Sequence, residues 1–273
     1  MLIDSVIIVL REVIEVAFLA SVLLALAYFL RIPAPGLRAT TLLGFVGALV
    51  FDMLVGTVFD WFGGFGYELA TVGVELLVWL TILAILALLM LGPAPSRTRV
   101  TTRLMAVAMV LAITREGGEI LMYFTSLSGQ EDAVSDALTG AVIGAGVGFS
   151  AGILFYYLQL AQHPATAVTT GGILLALIGS GMCAQGTMLL VQADLVPAQA
   201  PLWDSSGWLP ESSPLGQLLY ALIGYEATPS PLMAGVWLTG ITVSLAVMLG
   251  CRRLGARTVP TAESSGSDTR VRS

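Results

Sequence analysis

The chain has 273 residues, 56% of them hydrophobic and 11% charged, and a mean hydropathy of +0.89, far from the roughly 25% charged residues of a soluble domain. A net charge of −6 argues against a nucleic-acid partner, and the two cysteines suggest neither a disulfide framework nor a zinc site. The single histidine, His163, excludes a bis-histidine haem within the chain.

Unalternating apolar runs of about 20 residues predict helices rather than barrel strands, because only these two structures satisfy the backbone in lipid. Seven spans are predicted, over 4–30, 39–59, 69–92, 103–126, 137–160, 168–191 and 231–250. The expected fold is an all-α polytopic membrane protein, with one transmembrane domain over 1–255 and a disordered cytoplasmic tail over 256–273. The first run lacks the basic start of a signal peptide and carries Arg11, Glu12 and Glu15, so it reads as a retained span. Helix two holds Asp52 and helix three Glu75, each a candidate for the path of an ion or proton. Helix four holds Arg115, Glu116 and Glu119, and helix five is dense in glycine. Turn chemistry separates the spans at Pro33–Gly36, Trp61–Gly64, Gly92–Pro95, Ser128-Gly129 and His163-Pro164. Beyond helix six, Ser213-Pro214 predicts the start of a short helix that Gly224 ends, about ten residues long and too short to span.

Arginine alone supplies the basic residues, which reads as the codon bias of a GC-rich genome and points to a bacterial plasma membrane. Arg31, Arg38, Arg97, Arg99, Arg103, Arg252, Arg253 and Arg257 all fall in segments on one side of the predicted spans. The positive-inside rule makes that side the cytoplasm, with the N-terminus outside and the C-terminus inside. The opposite side is acidic, and Asp204 and Glu226 there are candidates for an outer mouth.

The two arginines left within the membrane each open the same pattern: Arg11-Glu12-Val13-Ile14-Glu15 and Arg115-Glu116-Gly117-Gly118-Glu119. Three spans separate them, so their helices run in opposite directions, as a 3+3 inverted repeat with one added helix predicts. Within each motif the two glutamates share a helix face, and the arginine reaches the second glutamate at i+4. Charged groups near a bilayer centre cost about 2.5–3.5 kcal/mol each, and there are two glutamates for every arginine. The surplus carboxylates call for a cation or protons, and an all-carboxylate set suits a hard cation. Glu12, Glu15, Glu116 and Glu119 are thus the candidate metal residues, with Arg11 and Arg115 balancing charge. No nucleotide loop or nucleophile–base pair suggests an enzyme.

These paired motifs resemble the signatures of the high-affinity iron permease family, the oxidase-dependent iron transporters of fungi and bacteria. The family pattern is Arg-Glu-Gly-Leu-Glu or close to it, so the spacing is kept here while the spacers differ. Trp203-Asp204-x-Ser206, Gly216, Gly224-Tyr225 and Pro229-Ser230 extend the likeness along the chain. The resemblance implies import of ferric iron as the transported substrate, with no permanently bound cofactor. It also implies an iron-oxidising or iron-delivering partner outside the membrane. Two other readings compete: transport of Fe2+, Mn2+ or Pb2+ by the same architecture, and a membrane scaffold for a peripheral redox enzyme with the motifs as helix locks.

Overall fold

Backbone groups in hydrocarbon have no water to bind, and the chain satisfies them within helices. The computed structural model describes residues 2–59, 63–92, 94–127 and 131–257. Its helices are α1 Leu2–Leu30, α2 Leu37–Phe59, α3 Gly66–Met90, α4 Pro95–Ser126, α5 Glu131–Leu160, α6 Pro164–Gln192, α7 Pro214–Ile223 and α8 Pro231–Arg257. Six of them, α1, α2, α3, α5, α6 and α8, are long and apolar enough to cross a membrane, and the protein is an all-helical polytopic membrane protein. α4 is long enough at 32 residues but carries Arg97, Arg99, Arg103, Arg115, Glu116 and Glu119, which interrupt its apolar stretch.

Several helices outrun their predicted apolar spans. α4 starts at Pro95, where the missing N–H costs nothing at a first helical position, and its arginine-bearing first turns precede the apolar stretch. α5 begins at Glu131 and α8 runs to Arg257, two residues into the predicted tail. The rest of that tail, Trp61 and Ser128-Gly129 lie outside the described residues. α7 forms where its caps predict it. Ser213 Oγ accepts a hydrogen bond from Gly216 N at 3.0 Å, Pro214 follows, and Gly224 at φ +66° ends the helix in the left-handed region.

Helix directions follow from the contacts. On α5, a Cβ at Gly144 would meet Val6 O at 2.6 Å and Leu10 N at 3.0 Å, and one at Gly152 would meet Ala17 Cβ at 2.5 Å. α1 and α5 therefore run parallel along a seam where glycine lets the backbones touch. α2 and α4 form a second parallel seam, through Gly44 against Ile113 and Phe51 against Gly118. α6 runs antiparallel to α3, through Gly179 on Ile82 and Gly186 on Val72, and antiparallel to α8, through Gly172 on Met248 and Gly240 on Ser180. Exchanging α1, α2, α3 for α4, α5, α6 turns one parallel seam into the other and maps the α3–α6 and α1–α4 contacts onto themselves. One face of the bundle thus holds the starts of α1, α3, α5 and α8; we call it the first face, and the other the second. Between α1, α3, α4 and α6 lies an apolar core that includes Phe18, Leu23, Ile82, Met105 and Leu175.

The α1–α5 seam gives a direct test. Gly144→Leu is expected to destabilise the protein by about 1–3 kcal/mol, because backbone rather than a movable side chain fills the space. Gly146→Leu, two residues on and open to its surroundings, is expected to be neutral. Thermal unfolding of the two variants in detergent measures the difference.

Candidate metal site

α1 and α4 cross antiparallel. Ser5 Oγ lies 2.5 Å from Tyr123 OH toward the first face, while Thr102 Oγ1 donates to Pro33 O at 3.0 Å at the second. The crossing brings the two motifs together at mid-depth.

Arg115 occupies the centre, 5% exposed. Its Nη1 lies 3.3 Å from Glu15 Oε2 and hydrogen-bonds Glu116. Its Nη2 lies 3.0 Å from Glu119 Oε1 and 3.3 Å from Glu75 Oε1. One guanidinium therefore touches carboxylates from α1, α3 and α4. Both expected i,i+4 pairs are present, Arg115 with Glu119 and Arg11 with Glu15, the latter with Nε–Oε1 at 3.8 Å. Arg11 is otherwise turned away: it hydrogen-bonds Tyr220 OH, and its guanidinium carbon lies 3.7 Å from the centre of that ring. The two arginines, alike in sequence, therefore play different parts.

Glu12, Glu116 and Glu119 each present an oxygen within 4.8 Å of the others, close enough to share one cation. Glu12 Oε2 and Glu116 Oε2 are buried without a hydrogen-bond partner. Both residues line a cavity of about 350 Å³ between α1, α2, α4 and α5. Its walls continue past Leu24 and Tyr156 to Leu37, so it runs from mid-depth toward the second face.

Glu75, a path candidate from sequence, is 1% exposed and joins the cluster through Arg115. Asp52 is half-buried on α2, outside the ion-pair network. Asp204 is exposed, and its Oδ1 accepts hydrogen bonds from Ser206 N at 2.9 Å and Ser206 Oγ at 2.6 Å, which hold its carboxyl below the usual range. Glu226 follows α7, where burial and a hydrogen bond shared with Glu211 raise its carboxyl from 4.5 to about 7, against the pull of Arg11. Sequence reasoning did not single out Glu211 or Tyr220. Tyr220 is an apolar-face residue of a short helix, and only tertiary packing brings it to Arg11.

Two expectations follow. Arg115→Met leaves Glu75 and Glu116 buried without their counter-charge and should destabilise the protein by about 3–5 kcal/mol in thermal unfolding. Arg11→Met, at a side chain 38% exposed, should lose less. The second concerns pH. Because the Glu226 pKa is raised, the folded protein holds a proton between about 4.5 and 7 that the unfolded chain has released. Stability therefore falls as pH rises through that window, and the loss is complete above it. Glu226→Gln should raise the melting temperature at pH 8 and leave it unchanged at pH 4.

The model of the iron permease FTR1 family matches residues 99–257, a stretch that contains the second motif, α7 and all of α8, while the first motif lies outside it. No curated protein and no solved structure matches the chain. The match covers more than half of the 273 residues, and the chain belongs to the iron permease FTR1 family, a family of transporters.

Proposed function

We propose that the protein imports ferric iron across a bacterial plasma membrane by passing it through the glutamates of the two motifs. The convergence of Glu12, Glu116 and Glu119, the first two lining a cavity, carries this reading. Two independent motifs supply these oxygens, and the cluster offers no imidazole or thiolate donor. Five carboxylates, counting Glu15 and Glu75, stand against the guanidiniums of Arg11 and Arg115. If all are ionised, three formal negative charges remain, which a trivalent hard cation neutralises.

The bundle as a whole supports the reading. Residues 1–255 act as one seven-span permease domain, in which α4 spans with its charges turned to its neighbours. The exchange of seams between α1–α3 and α4–α6 is that of a 3+3 inverted repeat, with α8 added. Arg31, Arg38, Arg97, Arg99, Arg103, Arg252 and Arg253 lie toward the second face, which by the positive-inside rule supports a cytoplasmic second face. The first face then opens outward, with Asp204 and Glu226 at its mouth, where an iron-oxidising or iron-delivering partner would hand over the ion.

The test is uptake of radioactive iron by cells lacking other iron importers, supplied as Fe3+ and as Fe2+ with or without an oxidant. Glu12→Gln, Glu15→Gln, Glu116→Gln and Glu119→Gln should each lower initial uptake by about 10- to 100-fold at equal membrane level. Uptake unchanged in all four would overturn the carboxylate path, and uptake of Fe2+ without oxidant would replace ferric with ferrous iron as the substrate.

A further inference from the structure

A second cavity, of about 550 Å³, lies between α3, α6 and α8. Its lining runs over Val72–Trp79 of α3, Cys183–Leu190 of α6 and Pro231–Gly240 of α8. These are the first-face halves of all three helices, so it extends from that face to mid-depth. The first cavity occupies the opposite half of the bundle, from Glu12 and Glu116 toward the second face.

Glu75 is the one charged residue in the lining of the second cavity. It is 1% exposed, and neither of its oxygens has a hydrogen-bond partner. Its Oε2 lies against Gly186, where any side chain would displace it, so glycine keeps room for the carboxylate at the cavity floor. Oε1 keeps its ion pair with Arg115, but hydrocarbon filling such a groove would leave Oε2 bare, which is costly at membrane depth. Water or a cation would satisfy it.

We propose that this cavity is the route by which the substrate cation reaches the motif glutamates, with Glu75 as the first carboxylate it meets. The inference rests on the function proposed above and adds the direction of approach. From Glu75 the next group inward is Arg115, whose Nη2 lies 3.3 Å from Glu75 and 3.0 Å from Glu119. A cation at Glu75 competes with Arg115 for that carboxylate and then for Glu119, which belongs to the triad with Glu12 and Glu116. From the triad, the first cavity leads on to the second face. Arg115 thus stands between Glu75 of the second cavity and Glu116 of the first. The route also gives α8 a purpose: it lies outside the six-helix exchange, yet it walls the cavity through Gly235, Val236 and Thr239.

Gly235 lines the cavity with no atom near the position of a Cβ, and Gly146 on α5 is equally open but is in the lining of neither cavity. Gly235→Trp should lower initial uptake of iron, supplied as ferric citrate, by about tenfold, and Gly146→Trp should leave it within about twofold of wild type. A Gly235→Trp protein that transports at the wild-type rate overturns the route. A smaller probe guards against a folding defect. In a Cys183→Ala, Cys251→Ala background, Gly235→Cys modified by a cationic methanethiosulfonate should lose uptake, and full labelling without loss overturns the route as well. Glu119→Gln run alongside separates the two levels. If it abolishes uptake while Gly235→Trp does not, the site stands and only the route falls; if it leaves uptake unchanged, the site itself falls.

Discussion

The interior depends on one guanidinium shared among helices. An isolated Arg115 in hydrocarbon would be costly, and so would each glutamate around it. Together they are tolerated because the planar fork of arginine presents nitrogens in two directions. Nη1 serves Glu15 of α1 and Glu116 of its own helix, and Nη2 serves Glu75 of α3 and Glu119. A lysine, as a single point charge, could not divide itself in this way. The compensation is incomplete, however. Buried oxygens on Glu12, Glu15, Glu75 and Glu116 remain without hydrogen bonds. On the function proposed above, those unmet oxygens are what a passing cation would satisfy, and the same imbalance leaves the helix lock incompletely neutralised.

The backbones beside this network come close along two glycine seams. The α1–α5 seam is made of glycines four residues apart, at Gly140, Gly144, Gly148 and Gly152, each against α1. Gly44, Gly47, Gly117 and Gly118 do the same between α2 and α4. With no hydrophobic drive between helices in lipid, such close packing supplies the attraction. It also leaves α2 and α5 as mainly lipid-facing walls, with Phe45, Leu49, Phe149 and Ile153 well exposed in the isolated chain.

Much of this was legible in the sequence, and the reasons differ by element. The long helices follow from apolar length, and α7 from three local signals at Ser213, Pro214 and Gly224. The motif glutamates follow from the cost of charge at depth, and Glu75 from the same argument applied to a single residue. The unequal fates of Arg11 and Arg115 did not follow. Both open the same five-residue pattern, and nothing local separates them. The difference arises because α7 folds back against α1 on one side only, placing Tyr220 on Arg11. The pairing of Glu226 with Glu211 has the same origin: 15 positions of sequence separate them, and the turn around α7 brings them together.

That one-sidedness bears on transport. An inverted repeat alone offers identical approaches from both faces, with two equal motifs and no preferred direction. Here α7 and α8 have no counterparts in the exchange, and both act on the first-face half. α7 holds Arg11 against Tyr220, so that Arg11 keeps one contact with Glu15, at 3.8 Å, while Arg115 pairs with four carboxylates. α8 walls the cavity that ends on Glu75 and is tied to α7 by the Trp237 Nε1 donation to Ile223 O at 2.5 Å. The exchange relates the two motifs, whereas Glu75 of α3 has no acidic counterpart on α6, and the segments after α6 make the two faces unequal. On the proposed route, a cation arriving from the first face would meet Glu75 before Arg115, whereas one arriving from the second would meet Glu12 and Glu116 directly.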